Sequence, residues 1–217
     1  MVRVFFSFLV FILITGSAHA QAINPARQYE QQRDSQPPAD GIWHVYDRYG
    51  NLLKEEHYKT YRLYGDVTTF FPTGSVRAIT PYIDGKRQGL EKTYYPTGAL
   101  LGQNIYVNND LNGESREFYE TGELKRIAYY KDGQLDGITK IYYKDGALKQ
   151  QWNYSHGIIH GAQLTYGKDG QVKSEDDYQN GRLVAHKDYT NDVSVMSTPQ
   201  SNVAPVPGTP NAGSASK

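Results

Sequence analysis

The sequence predicts an all-β fold: an elongated, single-layer antiparallel sheet of six 24-residue β-hairpin repeats, with disordered N- and C-terminal segments. Two observations predict it. Glycine recurs at a period of 24 residues, at Gly41, Gly65, Gly89, Gly113, Gly137 and Gly161, and a fixed period of that size marks a repeat array. Tyrosine (19) and glycine (21) are both over-used, which suits strands joined by tight turns better than packed helices.

Composition also excludes some functions. The formal net charge is +0, so there is no general attraction to nucleic acid, and none is expected as a partner. The absence of cysteine removes both a disulfide framework and a thiolate metal site.

Taken in order, residues 1–20 read as a signal peptide. Arg3 supplies the positive charge, Val4 to Ile14 form an apolar run too short to span a bilayer, and Ala18-His19-Ala20 is a small-residue cleavage site. The expectation is an exported, periplasmic chain, cleaved after Ala20. Residues 21–40 are rich in Gln, Pro, Arg and Asp and read as a disordered spacer, because they cannot bury enough apolar surface to offset the entropy of ordering.

Residues 41–184 hold the repeats. An aromatic precedes the central glycine of each (Tyr46, Phe70, Tyr94, Phe118, Tyr142, Tyr166), and an aliphatic follows it (Leu52, Val76, Leu100, Leu124, Leu148, Val172). Pro72-Thr73-Gly74 and Pro96-Thr97-Gly98 place proline where a type I turn wants it and glycine where the next residue is left-handed, giving a three-residue hairpin loop with a glycine bulge. Lys144-Asp145-Gly146 and Lys168-Asp169-Gly170 make the same turn with aspartate. In that geometry Phe118 faces Leu124 and Tyr142 faces Leu148. Parity puts Tyr130 and Tyr154 on the same face as those pairs.

A second, longer connection in each repeat carries glycine at Gly85, Gly133, Gly157 and Gly181, but Tyr61 and Asn109 in two of them. Tyrosine tolerates the left-handed region poorly, so the loop around Tyr61 is expected to differ in shape. Residues 185–193 read as an irregular capping segment, and 194–217 as a disordered low-complexity tail.

The unit Gly-x-x-x-x-Tyr-Tyr-x-x-Gly-x-Leu-x-x-x-x-x-Tyr-x-x-Gly, as in Gly137 to Gly157, resembles the MORN repeat, and more closely the bacterial MORN variant of antitoxin-component-like proteins. The resemblance implies a sheet growing by one hairpin per repeat and a non-enzymatic role with no cofactor. Eukaryotic members imply membrane and protein contacts, and bacterial ones neutralisation of a toxin partner. The resemblance has no catalytic residues to carry over.

The candidate partner-binding residues are Phe71, Tyr95, Tyr119 and Tyr143, with Lys125, Lys149 and Lys173. Each ring follows a core-facing aromatic, so alternation turns it to the opposite face, and the lysines recur with the same parity. Equivalent residues of neighbouring repeats lie roughly 10 Å apart, which makes a stripe of rings flanked by ammonium groups. Such stripes suit binding surfaces, although the same rings also serve simply to cover a sheet that has no second layer.

His156 and His160 fall in a glycine-flanked loop without a third ligand, and Glu175-Asp176-Asp177 lacks the spacing of a calcium loop, so no metal site is expected. No nucleophile stands beside a base, and no glycine loop opens a helix, so catalysis is not expected. The function expected is a non-catalytic binding protein that occludes a toxin or effector. The alternative is an envelope scaffold or adaptor touching phospholipid or cell wall.

Overall fold

The structure, a computed structural model, describes residues 35–189 of the 217. The expected signal peptide, most of the spacer and the tail lie outside the described residues. The chain divides into two units, one ending at Asp110 and the other beginning at Leu111.

In the first unit the strands are β1 (Gly41–Tyr46), β2 (Leu52–Lys59), β3 (Arg62–Leu63), β4 (Gly65–Phe70), β5 (Val76–Ile83), β6 (Lys86–Arg87), β7 (Gly89–Tyr94) and β8 (Leu100–Val107). They form one antiparallel layer. Hairpins β1–β2, β4–β5 and β7–β8 alternate with pairings of β2 to β4 and β5 to β7 across the next connection. The second unit repeats the scheme with β9 (Asp110–Phe118, its first residue belonging to the first unit), β10 (Leu124–Lys131), β11 (Gln134–Leu135), β12 (Gly137–Tyr142), β13 (Leu148–Ser155), β14 (Ile158–Ile159), β15 (Gly161–Tyr166), β16 (Val172–Gln179) and a final strand β17 (Arg182–Asp188) on β16.

The hairpin loops follow the turn chemistry of the sequence. The Gly74 N–H donates to the Phe71 carbonyl at 2.8 Å and the Phe71 N–H to the Ser75 carbonyl at 2.8 Å, closing a type I turn with Gly74 left-handed at φ +86°. Phe118 faces Leu124, and Tyr142 faces Leu148, as the loop length requires.

One residue beyond each of these pairs the register shifts. Arg126 pairs with Glu117, leaving Lys125 as the extra residue of a β-bulge, and Lys149, Lys173, Arg77 and Leu101 hold the same place in other hairpins. The bulge changes which side later residues face. Tyr130 stands opposite Gly113 and Tyr154 opposite Gly137, so both lie on the face away from Phe118 and Leu124. The parity expectation for Tyr130 and Tyr154 is thus corrected, because it counted two residues per pleat through a point where one extra residue is inserted.

Burial follows the corrected assignment. In the first unit Glu56, Val67, Thr80 and Tyr106 are buried, and in the second Ser115, Ala128 and Thr139, all on the tyrosine face. Long side chains fold over short ones there. Arg126 reaches the Tyr130 hydroxyl at 3.5 Å, and Ala128 between them is 0% exposed. The guanidinium of Arg87 lies 4.1 Å from the Tyr106 ring centroid, a contact of about 1 kcal/mol. On the opposite face of each unit large side chains are exposed, Leu90 and Ile105 in the first and Tyr129 and Ile138 in the second. In each unit the better covered side is therefore the one that carries that unit's candidate rings.

The second connections are two-residue turns, shorter than expected, with positive φ at both central residues: Asp84 (52°) and Gly85 (79°), or His156 (51°) and Gly157 (77°). This is the type I′ pattern that matches strand twist. Tyr61 adopts the same conformation at φ 61°, and its N–H donates to the Ala39 carbonyl at 2.8 Å, as that of Gly85 does to Leu63. The expected difference in loop shape is absent. Backbone bonds to the preceding segment hold the turn, and the tyrosine accepts the strain.

Candidate functional site

Each candidate ring opens a hairpin turn, so its backbone is fixed by two hydrogen bonds. The Tyr119 N–H donates to the Glu123 carbonyl and the Gly122 N–H to the Tyr119 carbonyl, both at 2.8 Å, and Tyr143 repeats the arrangement. All four rings are half-buried. In the second unit the hydroxyl of Tyr119 donates to the Tyr142 carbonyl at 2.8 Å, and that of Tyr143 to the Tyr166 carbonyl at 3.2 Å. These two tyrosines therefore tie neighbouring hairpins together while leaving part of each ring open.

The lysines take three kinds of partner. Lys125 is 2.5 Å from Glu117 across the hairpin. Lys173 is 2.9 Å from Asp169, and its hydrogen bond is the main cause that holds the Asp169 carboxyl below its usual range. Lys149 stands over the Tyr143 ring at 5.5 Å, and Lys168 from the next hairpin approaches the same ring at 5.8 Å. Tyr143 is thus bracketed by two ammonium groups. Sequence reading did not single out Lys168, which sits in the turn that ends at Gly170.

In the first unit Phe71 and Tyr95 line a groove of about 670 Å³ together with Arg77, Thr80, Glu91 and Leu101. Arg77 was also missed, although its place in the repeat is that of Lys125, Lys149 and Lys173. The signal was present in the spacing and hidden by the change of residue type.

His156 and His160 line a separate hollow of about 330 Å³ with Ile158 and Asn180. The His156 N–H donates to Asp136 at 3.2 Å, which caps the type I′ turn. Alternation divides the acidic run: Asp176 meets His186 at 2.5 Å, and Glu175 accepts from the Tyr189 hydroxyl at 2.9 Å. Among the described residues no group of three His, Asp or Glu could hold a metal ion.

The repeating hairpins, bulges and turns define a β-hairpin repeat array. The family described as MORN repeat variant matches residues 87–108, 111–132, 135–156 and 159–180, segments that start 24 residues apart. Residues 87–180 are thus similar to MORN repeats, over less than half of the 217 residues. The match is to the repeat and does not reach an antitoxin subfamily. No curated protein matches the chain. Among solved structures, the crystal structure of accessory secretory protein 1, 2 and 3 in Streptococcus pneumoniae is similar at 14% identity and a TM-score of 0.19, over 61% of this chain and 20% of that one. This chain thus spans a fifth of the length of the solved chain it matches.

Proposed function

We propose that the chain is an exported, periplasmic binding protein that occludes a toxin or effector protein, as an antitoxin or immunity partner does, through its tyrosine face. The observation that carries this reading is the Tyr143 ring with Lys149 at 5.5 Å and Lys168 at 5.8 Å. Tyrosine is enriched among the few residues that carry most of the binding energy at protein interfaces, and an ammonium group is attracted to the face of its ring. The side chain of Lys168 is 73% exposed, and its ammonium also stands 3.8 Å from the Asp145 carboxylate.

Capture of a protein partner from an envelope extract by the purified chain, lost in the double variant Lys149→Glu with Lys168→Glu, is the expected result. Recovery of no protein, together with binding to phosphatidylethanolamine/phosphatidylglycerol vesicles, would reject the occlusion reading in favour of a lipid-contacting scaffold. The two differ in salt response, since spaced lysines on an anionic surface act within about 10 Å at physiological ionic strength.

A further inference from the structure

Phe71 breaks the tyrosine pattern beside an open groove in the first unit. In the second unit the hydroxyls of Tyr119 and Tyr143 each bond to a carbonyl of the following hairpin. The corresponding acceptor for Phe71 is the carbonyl of Tyr94, and phenylalanine has no hydroxyl to give it. Tyr94 lines the groove of about 670 Å³, beside Phe71 and Tyr95. A volume of that size lies within the range of ligand sites.

The polar groups around the groove are complementary to a particular chemistry. The side chain of Arg77 makes no hydrogen bond or ion pair among the described residues. Its counterpart Lys125 is neutralised by Glu117, whereas the place of Glu117 is taken beside Arg77 by Thr69. Glu91 is held by the Thr80 hydroxyl at 2.9 Å and the Asn104 amide at 3.2 Å, one on each carboxylate oxygen. The groove therefore offers an unpaired guanidinium, an anchored carboxylate and two rings. A simple anion would be repelled by Glu91, and a purely apolar ligand would leave Arg77 unanswered. An extended polypeptide has the matching parts: an N–H group for Glu91, an acidic side chain for Arg77, and an apolar side chain for the rings.

We propose that this groove receives an extended segment of the partner protein, with an apolar side chain between Phe71 and Tyr95 and a neighbouring carboxylate on Arg77. The proposal rests on the protein-binding reading and gives that reading a contact point in the first unit.

The test uses the full chain and a blocked pentapeptide of glycine, leucine, aspartate, leucine and glycine, against the same peptide with asparagine for aspartate. Titration followed by amide nuclear magnetic resonance is expected to shift Phe71, Arg77 and Tyr95 with the aspartate peptide and to show about tenfold weaker binding of the asparagine peptide. Arg77→Gln is expected to abolish that difference. Phe71→Tyr, which restores the missing hydroxyl and closes the groove, is expected to weaken the aspartate peptide about tenfold while keeping or raising the unfolding midpoint. Undisturbed groove amides, equal binding of the two peptides, or a Phe71→Tyr variant that binds like the parent would each overturn the proposal and leave the protein-binding reading standing. Failure to capture a protein partner, with the peptide results intact, would overturn that reading and not the groove.

Discussion

Thr139 and Trp152 face each other across strands β12 and β13, and neither the threonine hydroxyl nor the indole N–H has a hydrogen-bond partner among the described residues. Thr139 is 3% exposed, so its hydroxyl carries a desolvation cost without a compensating bond. Thr139→Val keeps the branched shape that suits a strand and removes the unpaired group. It is expected to leave stability unchanged or raise it by up to about 1 kcal/mol in urea unfolding. A clear loss of stability would show that the hydroxyl is bonded in solution.

Tyr119→Phe removes the hydroxyl that reaches the Tyr142 carbonyl at 2.8 Å while keeping the ring. The expected cost is about 1 kcal/mol, the usual value of one such bond. Tyr129→Phe is the matched control. Its hydroxyl bonds to Glu114 at 3.1 Å, but the residue is 42% exposed, so water replaces the bond and almost no change in unfolding midpoint is expected.

Tyr61→Gly should stabilise the first unit. Tyr61 is 72% exposed and sits at φ 61°, where L side chains are strained and where most repeats have glycine. Relief of that strain, offset by the greater freedom of glycine in the unfolded chain, leaves a net gain of roughly 0.5–1 kcal/mol. A lowered unfolding temperature would mean that the ring makes contacts worth more than the strain.

Alkaline pH should loosen the first unit through Tyr58. Burial, with a hydrogen bond of 3.0 Å to Glu56 as the second cause, pushes its hydroxyl from 10.0 up to about 12. Below pH 10 the folded and unfolded chains both hold the proton and the contribution is complete. As pH rises from 10 toward 12 the unfolded chain loses its proton first, and stability falls. Phenolate absorbance is expected to show a tyrosine that ionises late, and Glu56→Gln should bring that step to lower pH.

Much of the strand pairing was legible in the residues. The proline-threonine-glycine and lysine-aspartate-glycine turns have one strong backbone solution, and that solution puts Phe118 against Leu124. Which side is covered was not legible. The bulge that decides it falls on Arg77, Leu101, Lys125, Lys149 and Lys173, and a bulge of this kind asks for no special residue, so nothing marks the extra place. The rings of the candidate stripe could be located by alternation, but the ties of Tyr119 and Tyr143 could not, since they depend on how close one hairpin comes to the next. Asp84-Gly85 and Asp132-Gly133 are standard two-residue turn signals, so the short second connection was also legible, although a longer one was expected.

The hydroxyl bonds of Tyr119 and Tyr143 all run one way, from a hairpin to its successor in the chain. The second unit therefore has a polarity that its near-identical building blocks do not suggest. Trimming it from its end strips a donor of its acceptor, whereas trimming it from its beginning leaves only a carbonyl that water can serve. Shortened versions of equal length should thus differ in durability according to which terminus was cut.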